Sequence, residues 1–271
     1  RYDLALTTQT GDRPTFLAWL GGRQSAGPLD ANRLSASLKR LALSRSYTSD
    51  RRQHRIVDLL RMTEQLGIPA CAEVVCPQGS VRTGLLPAQP YAVVHAAPKY
   101  RYKQWTPDGW RKLAAALRQR GLPTVAIGAA TDRAYLDAVW RDAGVTRLDG
   151  ALSWPELTAL IGGARVFIGP DTAVTHLAAA TGTPTVALYG PTDPRIWGPW
   201  PVGGLDRPWD AAGTIQQRGN VWLVQNPLPC LPCQLEGCER RLDSHSQCLD
   251  ELTVVQVAVA VDRALAVRQA A

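Results

Sequence analysis

Two short polar turns near the middle of the chain carry the residue types that bind phosphate. The first is Gly169-Pro170-Asp171-Thr172-Ala173, and the second is Gly190-Pro191-Thr192. Each turn follows an apolar run that is typical of a buried parallel strand. Asp171 or Thr172 can cap the helix that follows the first turn, so the first amides of this helix face the same edge of the sheet. Such amides attract phosphate, which predicts an anion site here, with an ordinary turn that binds nothing as the alternative.

Two further polar side chains follow strands that end at the same edge. Lys103 lies in the loop after the strand at 91–95, where its ammonium group can reach a bound ligand. A point charge on a flexible stem suits phosphate, although a solvated loop lysine is the alternative. Asp132 follows the strand at 124–128, and its carboxylate can either accept hydrogen bonds from ribose hydroxyls or cap the next helix.

Strand and helix signals alternate from Tyr91 onward, and they set the positions of these side chains. Strands are predicted at 91–95, 124–128, 146–148 and 166–168, and helices at 106–120, 132–143, 153–163 and 173–181. This alternation predicts a doubly wound parallel sheet with right-handed crossovers. Before it, a strand near Leu4 and helices at 14–20 and 51–66 suggest the remainder of a similar domain.

The Gly- and Pro-rich loop at 79–90 divides the chain into two predicted domains. Residues 1–86 form the remainder of an N-terminal lobe, and residues 91–250 form a C-terminal lobe that includes a cysteine-rich loop at 226–250. Residues 251–271 are expected to form a C-terminal helix. Because the chain starts within an apparent strand and without Met, we expect an N-terminal segment to be missing.

Composition narrows the class of protein. With 45% hydrophobic and 20% charged residues, the 271-residue chain is an ordinary globular protein without a bilayer-spanning apolar run. Its net charge of +7 favours acidic partners, such as phosphorylated substrates or an anionic membrane surface. No nucleic-acid motif accompanies the charge, so nucleic acid is not expected as a partner. A nicotinamide-dependent oxidoreductase is disfavoured because no G-x-G-x-x-G opens a helix.

Four of the six cysteines form the pattern Cys230-x2-Cys233-x4-Cys238-x9-Cys248. Four thiolates can hold a structural zinc ion, with His245 as a further candidate ligand. Iron–sulfur ligation uses similar thiolates, and reduced thiols in a packed loop are the third interpretation. Any metal held there is expected to be structural.

The motifs taken together resemble the bacterial heptosyltransferase family, glycosyltransferase family 9, which transfers heptose from ADP-heptose to the inner core of lipopolysaccharide. The matching segments are DTAVTHLAAATGTP (171–184), GPTDP (190–194), YKQW (102–105) and YDLALTTQ (2–9). The resemblance implies the GT-B architecture, two Rossmann-like lobes with parallel sheets, of which the first is N-terminally truncated here. It also implies inverting, metal-independent transfer to a phosphorylated glycolipid, in the cytoplasm and peripherally at the inner face of the membrane.

The resemblance also implies which residues bind the ADP-sugar donor. They are Lys103, Asp132, Leu152, Asp171, Thr172, Ala173, His176 and Thr192. Lys103 and the turn at 171–173 would meet the diphosphate, and Leu152 would contact adenine. Ala173 stands where the family usually has Gly, so its methyl group could crowd the phosphate or resist a positive φ. For His176, a structural histidine is the alternative.

The catalytic base of the family is an acidic residue near the start of the N-terminal lobe, in the first strand-to-helix turn. We expect that turn to lie upstream of residue 1, so no base is assigned, and neither Asp3 nor Asp12 takes its place. These 271 residues are therefore predicted to bind donor without turning it over. A noncatalytic nucleotide-sugar-binding or scaffold protein of the same fold is the alternative function.

Overall fold

The computed structural model of the chain describes residues 1–31, 35–82 and 84–267, which form two compact units at 1–72 and 73–271. The first unit has a three-stranded parallel sheet in the order β1-β2-β3 together with three helices. Its elements are β1 (Tyr2–Leu6), α1 (Asp12–Gly21), β2 (Gly22–Leu29), α2 (Ala36–Ala42), β3 (Arg45–Thr48) and α3 (Arg55–Gln65).

The second unit has a seven-stranded sheet in the order β6-β5-β4-β7-β8-β10-β9. Its strands are β4 (Ala92–His95), β5 (Thr124–Ile127), β6 (Thr146–Arg147), β7 (Val166–Pro170), β8 (Thr185–Leu188), β9 (Ile215–Arg218) and β10 (Val221–Val224). Its helices are α4 (Pro107–Gln119), α5 (Arg133–Val139), α6 (Trp154–Gly163), α7 (Ala173–Ala180), α8 (Pro194–Trp197), α9 (Gln247–Asp250) and α10 (Val254–Val267). Among these strands, β9 pairs antiparallel with β10 and the other pairs are parallel.

Helices cover both faces of this sheet, and its central strands β4, β7 and β8 are buried along their whole length and mostly apolar. In β4, Val94 packs into the core that includes α4 and α10, whereas Val93 packs into the core that includes α6 and α7. Successive strand residues point to opposite faces, so the two helix layers lie on opposite sides. An unbroken apolar strand is what a sheet buried on both faces requires.

From β4 the chain continues to β5 and β6 on one side of the sheet, and then to β7 and β8 on the other side. The strand order therefore reverses between the neighbouring strands β4 and β7. In open α/β sheets, ligands bind outside the carboxyl ends of the strands at such a reversal. The loop after β4 is held in place by Trp105, whose Nε1 donates to Leu252 O at 2.7 Å and whose ring packs edge-on against Trp110. Lys103, two residues earlier, is thereby positioned near the start of α7.

The predicted α/β class with parallel sheets is confirmed, and several local signals are as expected. Thr106 Oγ1 accepts the Gly109 N–H at 3.0 Å, and Glu156 forms the capping box with Ser153. Two details differ. The helix predicted at 132–143 ends at Val139, because Asp142 and Gly144 have φ of 56° and 63°. The β9–β10 hairpin was not predicted.

The division between the units lies at Ala72 and Glu73, earlier than the loop at 79–90 that the sequence indicates. Residues after 72 pack on the second unit: Arg82 Nε donates to Glu156 Oε1 at 2.6 Å. The predicted C-terminal helix at 251–271 is α10, which packs on α4 and β10 and so belongs to the second unit; residues 268–271 lie outside the described ranges. In the part of the chain described, no helix combines the length and apolar character needed to cross a bilayer.

Candidate functional site

Asp171 is the centre of a polar cluster at the carboxyl end of β7. Its Oδ2 lies 2.6 Å from Lys103 Nζ and accepts a hydrogen bond from Thr192 Oγ1 at 2.7 Å. Its Oδ1 lies 3.8 Å from His176 Nε2, one turn into α7. The fold thus brings the two polar turns and the lysine loop to one point, as the sequence predicts.

The Asp171 carboxylate is buried, and its charge depends on these partners. Burial alone would raise its pKa, but the nearby His176 imidazole, the charge of Lys103, and hydrogen bonds from Lys103 and Thr192 lower the pKa to about 2. The side chain is therefore an anion at neutral pH that holds Lys103 at the sheet edge. An ammonium group has three donors, so Lys103 keeps two for a ligand.

Thr172 connects α7 to the end of β4. Its Oγ1 lies 3.3 Å from Nδ1 of His95, and the hydroxyl does not cap the helix although Thr172 is at the N-cap position. Burial lowers the pKa of His95 to about 4, so the imidazole is neutral at pH 7. Ala173 is exposed and is the first residue of α7, where the backbone is helical. The backbone at Ala173 therefore does not need a positive φ, and alanine adopts this conformation without strain.

Two cavities in the second unit lie on either side of the start of α7. The polar cavity, of about 380 Å³, is lined by Tyr102, Lys103, Asp171, Thr192, Asp193, Trp197, Gln234, Leu235 and Glu236. The apolar cavity, of about 260 Å³, is lined mainly by apolar side chains together with His95, Asp132 and Ser153. Asp171 lines the first cavity and Val174 the second, so the first amides of α7 lie between them.

Five of the eight residues predicted to bind the donor line these cavities: Lys103, Asp171 and Thr192 line the polar one, whereas Thr172, Ala173 and His176 line neither. Asp132 and Leu152 line the apolar cavity, and the Asp132 carboxylate accepts the Ala129 N–H at 3.1 Å. His95 was not among the predicted site residues, although its position at the end of β4 could have indicated it. Residues 234–236 were not among them either, and they carry no local signal because their position depends on the path of a long loop.

In the cysteine-rich loop, the Cys248 thiol lies near the other three cysteines, close enough for their charges to affect its pKa. Cys248 is buried, and Cys230, Cys233, Cys238 and Cys248 are all free. Burial, with the neighbouring cysteines, raises the pKa of the Cys248 thiol to about 12. In residues 1–31, 35–82 and 84–267, no three His, Cys, Asp or Glu side chains are grouped so that they could hold a metal ion.

Comparison with known families identifies the class of protein. Residues 1–203 match glycosyltransferase family 9 (heptosyltransferase), so the chain belongs to this family. It is 39% identical over 115 residues to lipopolysaccharide heptosyltransferase 3 of Escherichia coli K12, covering 41% of this chain and 33% of that protein. It is 26% identical over 241 residues to lipopolysaccharide heptosyltransferase 1 of Pseudomonas aeruginosa, covering 88% and 63%. The matched segments thus span about a third of the E. coli protein and less than two thirds of the P. aeruginosa protein.

Solved structures show the same fold. E. coli heptosyltransferase WaaC with ADP superposes with a TM-score of 0.67 at 21% identity, covering 97% of this chain and 73% of WaaC. The dodecameric iron-containing glycosyltransferase TibC from enterotoxigenic E. coli H10407 superposes with a TM-score of 0.57 at 16% identity, covering 97% and 76%. The fold is the GT-B fold of the heptosyltransferases, as the sequence motifs imply.

Proposed function

We propose that this chain binds an ADP-sugar, ADP-heptose or a close relative, and that the protein transfers the sugar to a lipopolysaccharide core or similar glycan. The main support is the arrangement of an apolar and a polar cavity on either side of a helix N-terminus. A nucleoside diphosphate sugar has the same order of groups: an apolar base, two phosphates and a polar sugar. Solved WaaC with ADP has this fold, and family membership agrees with the proposal.

Adenosine would occupy the apolar cavity. Leu152 and Val174 offer apolar contacts to the base, and the Asp132 carboxylate has acceptor capacity for ribose hydroxyls in addition to its bond from Ala129. The neutral His95 also lines this cavity. An uncharged imidazole adds hydrogen-bonding capacity without a buried positive charge, which suits a neutral base.

The diphosphate would lie at the start of α7. The first amides of a helix have no intrahelical acceptor, and the helix dipole favours an anion there. Lys103 supplies the neighbouring donors, and the Thr192 hydroxyl, which donates to Asp171, lines the same cavity. We assign Asp171 a positioning role, because a carboxylate repels phosphate and its oxygens already accept from Lys103 and Thr192.

In the proposed reaction, an acceptor hydroxyl attacks the anomeric carbon as the bond from that carbon to ADP breaks, which inverts the configuration. Negative charge grows on the departing ADP, and Lys103 with the α7 amides is placed to stabilise it. This stabilisation needs no metal ion. The proton of the hydroxyl passes to a general base, for which no residue is assigned. The acceptor is proposed to be a phosphorylated glycolipid at the inner face of the cytoplasmic membrane, consistent with the charge of +7.

Calorimetry with ADP and with ADP-heptose tests the donor, and product analysis with a lipopolysaccharide core acceptor tests transfer. We expect these 271 residues to bind both ligands, and we expect protein that also supplies the general base to transfer the sugar in the presence of a chelator. Failure to bind ADP would contradict the proposal. Binding of both ligands without transfer by protein that supplies the base would favour a noncatalytic nucleotide-sugar-binding protein.

Elemental analysis of freshly purified, reduced protein tests whether the cysteine-rich loop binds a metal ion. A zinc site would give about one metal ion per chain, since four thiolates fill its tetrahedral shell. No metal in freshly reduced protein would favour reduced thiols in a packed loop. Iron in place of zinc would favour the iron–sulfur interpretation.

A further inference from the structure

Part of the cysteine-rich loop forms a wall of the polar cavity. Gln234, Leu235 and Glu236 line this cavity together with Lys103 and Trp197. All three loop residues are exposed, whereas the next residue, Gly237, is buried. The cavity is therefore built from two sources: the strand ends that carry Lys103 and Asp171, and a loop that is distant from them in sequence.

This loop segment is fixed at both ends. Gln234 has φ of 55°, and its N–H donates to Pro191 O at 2.8 Å, next to the turn that carries Thr192. Gly237 has φ of 82°, and a Cβ atom there would lie 1.9 Å from Ser244 Oγ and 3.0 Å from Tyr102 Cβ. Only glycine fits such a position without rearrangement.

A second contact joins the loop to the segment that holds Lys103. Ser246 Oγ donates to the backbone oxygen of Tyr102 at 2.7 Å. The loop is thus attached to the segment before Lys103 and to the turn before Thr192. Lys103 and Thr192 line the proposed diphosphate position, so residues 234–236 are held at a fixed place relative to it.

The side chains of this segment suit a sugar better than a phosphate. Glu236 is acidic and lies close to Tyr102. Burial is the main cause that raises the pKa of the Tyr102 phenol, and the charge of Glu236 raises it further. A carboxylate repels phosphate but accepts hydrogen bonds from hydroxyl groups through two oxygens. Leu235 and Trp197 are 37% and 46% exposed, and they offer apolar surface to the C–H groups of a sugar ring.

We propose that Gln234, Leu235 and Glu236 form the subsite for the sugar of the donor, with Glu236 accepting hydrogen bonds from its hydroxyls. Trp197 and Leu235 contact its apolar face. The proposal rests on the proposed function and extends it, because it assigns the sugar to a loop outside the strand-end turns. It also gives the cysteine-rich loop a role: the loop positions the subsite.

The test compares the affinities of ADP and ADP-heptose for the parent protein, Glu236→Gln and Glu236→Ala by calorimetry. We expect both variants to bind ADP within about twofold of the parent and to bind ADP-heptose about tenfold more weakly, since a hydrogen bond to a charged group is lost. Glu239→Gln is the matched control: Glu239 lies in the same loop, pairs with Arg241 and is expected to leave both affinities unchanged.

The outcomes separate the subsite from the proposed function. Parent protein that binds neither ligand would contradict both. Parent protein that binds both ligands, with ADP-heptose affinity unchanged in the Glu236 variants, would contradict the subsite alone. Equal losses of ADP and ADP-heptose affinity would also contradict it, because they would place Glu236 at the nucleotide or show that the loop has lost its structure.

Discussion

Replacing Lys103 with alanine is expected to weaken ADP binding by about 1.5–3 kcal/mol, or about 10- to 150-fold, the range for hydrogen bonds to charged groups. Lys103 Nζ lies 2.6 Å from Asp171 Oδ2, so the variant loses the cation that faces both the carboxylate and the proposed phosphate position. A buried carboxylate without its partner then repels the phosphate, which adds to the lost contact. Calorimetry with ADP gives the measurement.

Lys112→Ala is the matched control for this prediction. Lys112 forms an exposed ion pair with Asp108 on α4, and its loss is expected to change ADP affinity very little. Circular dichroism and thermal unfolding of Lys103→Ala would show whether the variant is folded. Equal ADP affinity in a folded Lys103→Ala variant and in the parent would contradict the placement of the diphosphate beside Lys103.

Stability is expected to fall by up to about 3 kcal/mol as the pH decreases from about 6.5 to about 4, because of His95. Burial lowers the pKa of this imidazole from 6.5 to about 4. Between these pH values His95 is mostly neutral in the folded protein and mostly protonated in the unfolded chain. Proton uptake by the unfolded chain therefore favours unfolding as the pH falls through this range. Well above pH 6.5 His95 is neutral in both states, so its contribution to stability no longer depends on pH.

Urea unfolding at a series of pH values measures this effect, followed by tryptophan fluorescence. Eight of the nine tryptophans lie after residue 72, so the signal reports the second unit. In His95→Gln, most of the fall in stability between pH 6.5 and 4 should disappear. In His245→Gln, a control at an exposed histidine, the fall in stability should persist. The Asp171 carboxylate, with a pKa of about 2, loses its contribution only below about pH 4, outside this range. The same pH dependence in His95→Gln and in the parent would contradict the prediction.

Much of the second unit could be predicted from local sequence. Thr106-Pro107 and Ser153 with Glu156 satisfy the free amides of a helix start within a few residues, so α4 and α6 begin where expected. The apolar residues of β4 and β7 indicate strands buried on both faces, and the sheet confirms this. Such signals can be read because their partners are close in sequence. The helix predicted at 132–143 ends early at Val139, and Asp142 has a positive φ that does not continue a right-handed helix.

The sequence by itself determined the α/β class, the two polar turns and the family, because each depends on contiguous residues. It also placed Lys103, Asp171 and Thr192 at one edge of the sheet, since parallel strands share that edge. Only the tertiary structure decided that the three side chains meet, that His95 is buried against Thr172, and that residues 234–236 complete the polar cavity. These contacts join residues far apart in sequence, and their geometry depends on how the loops pack against the sheet rather than on any local pattern.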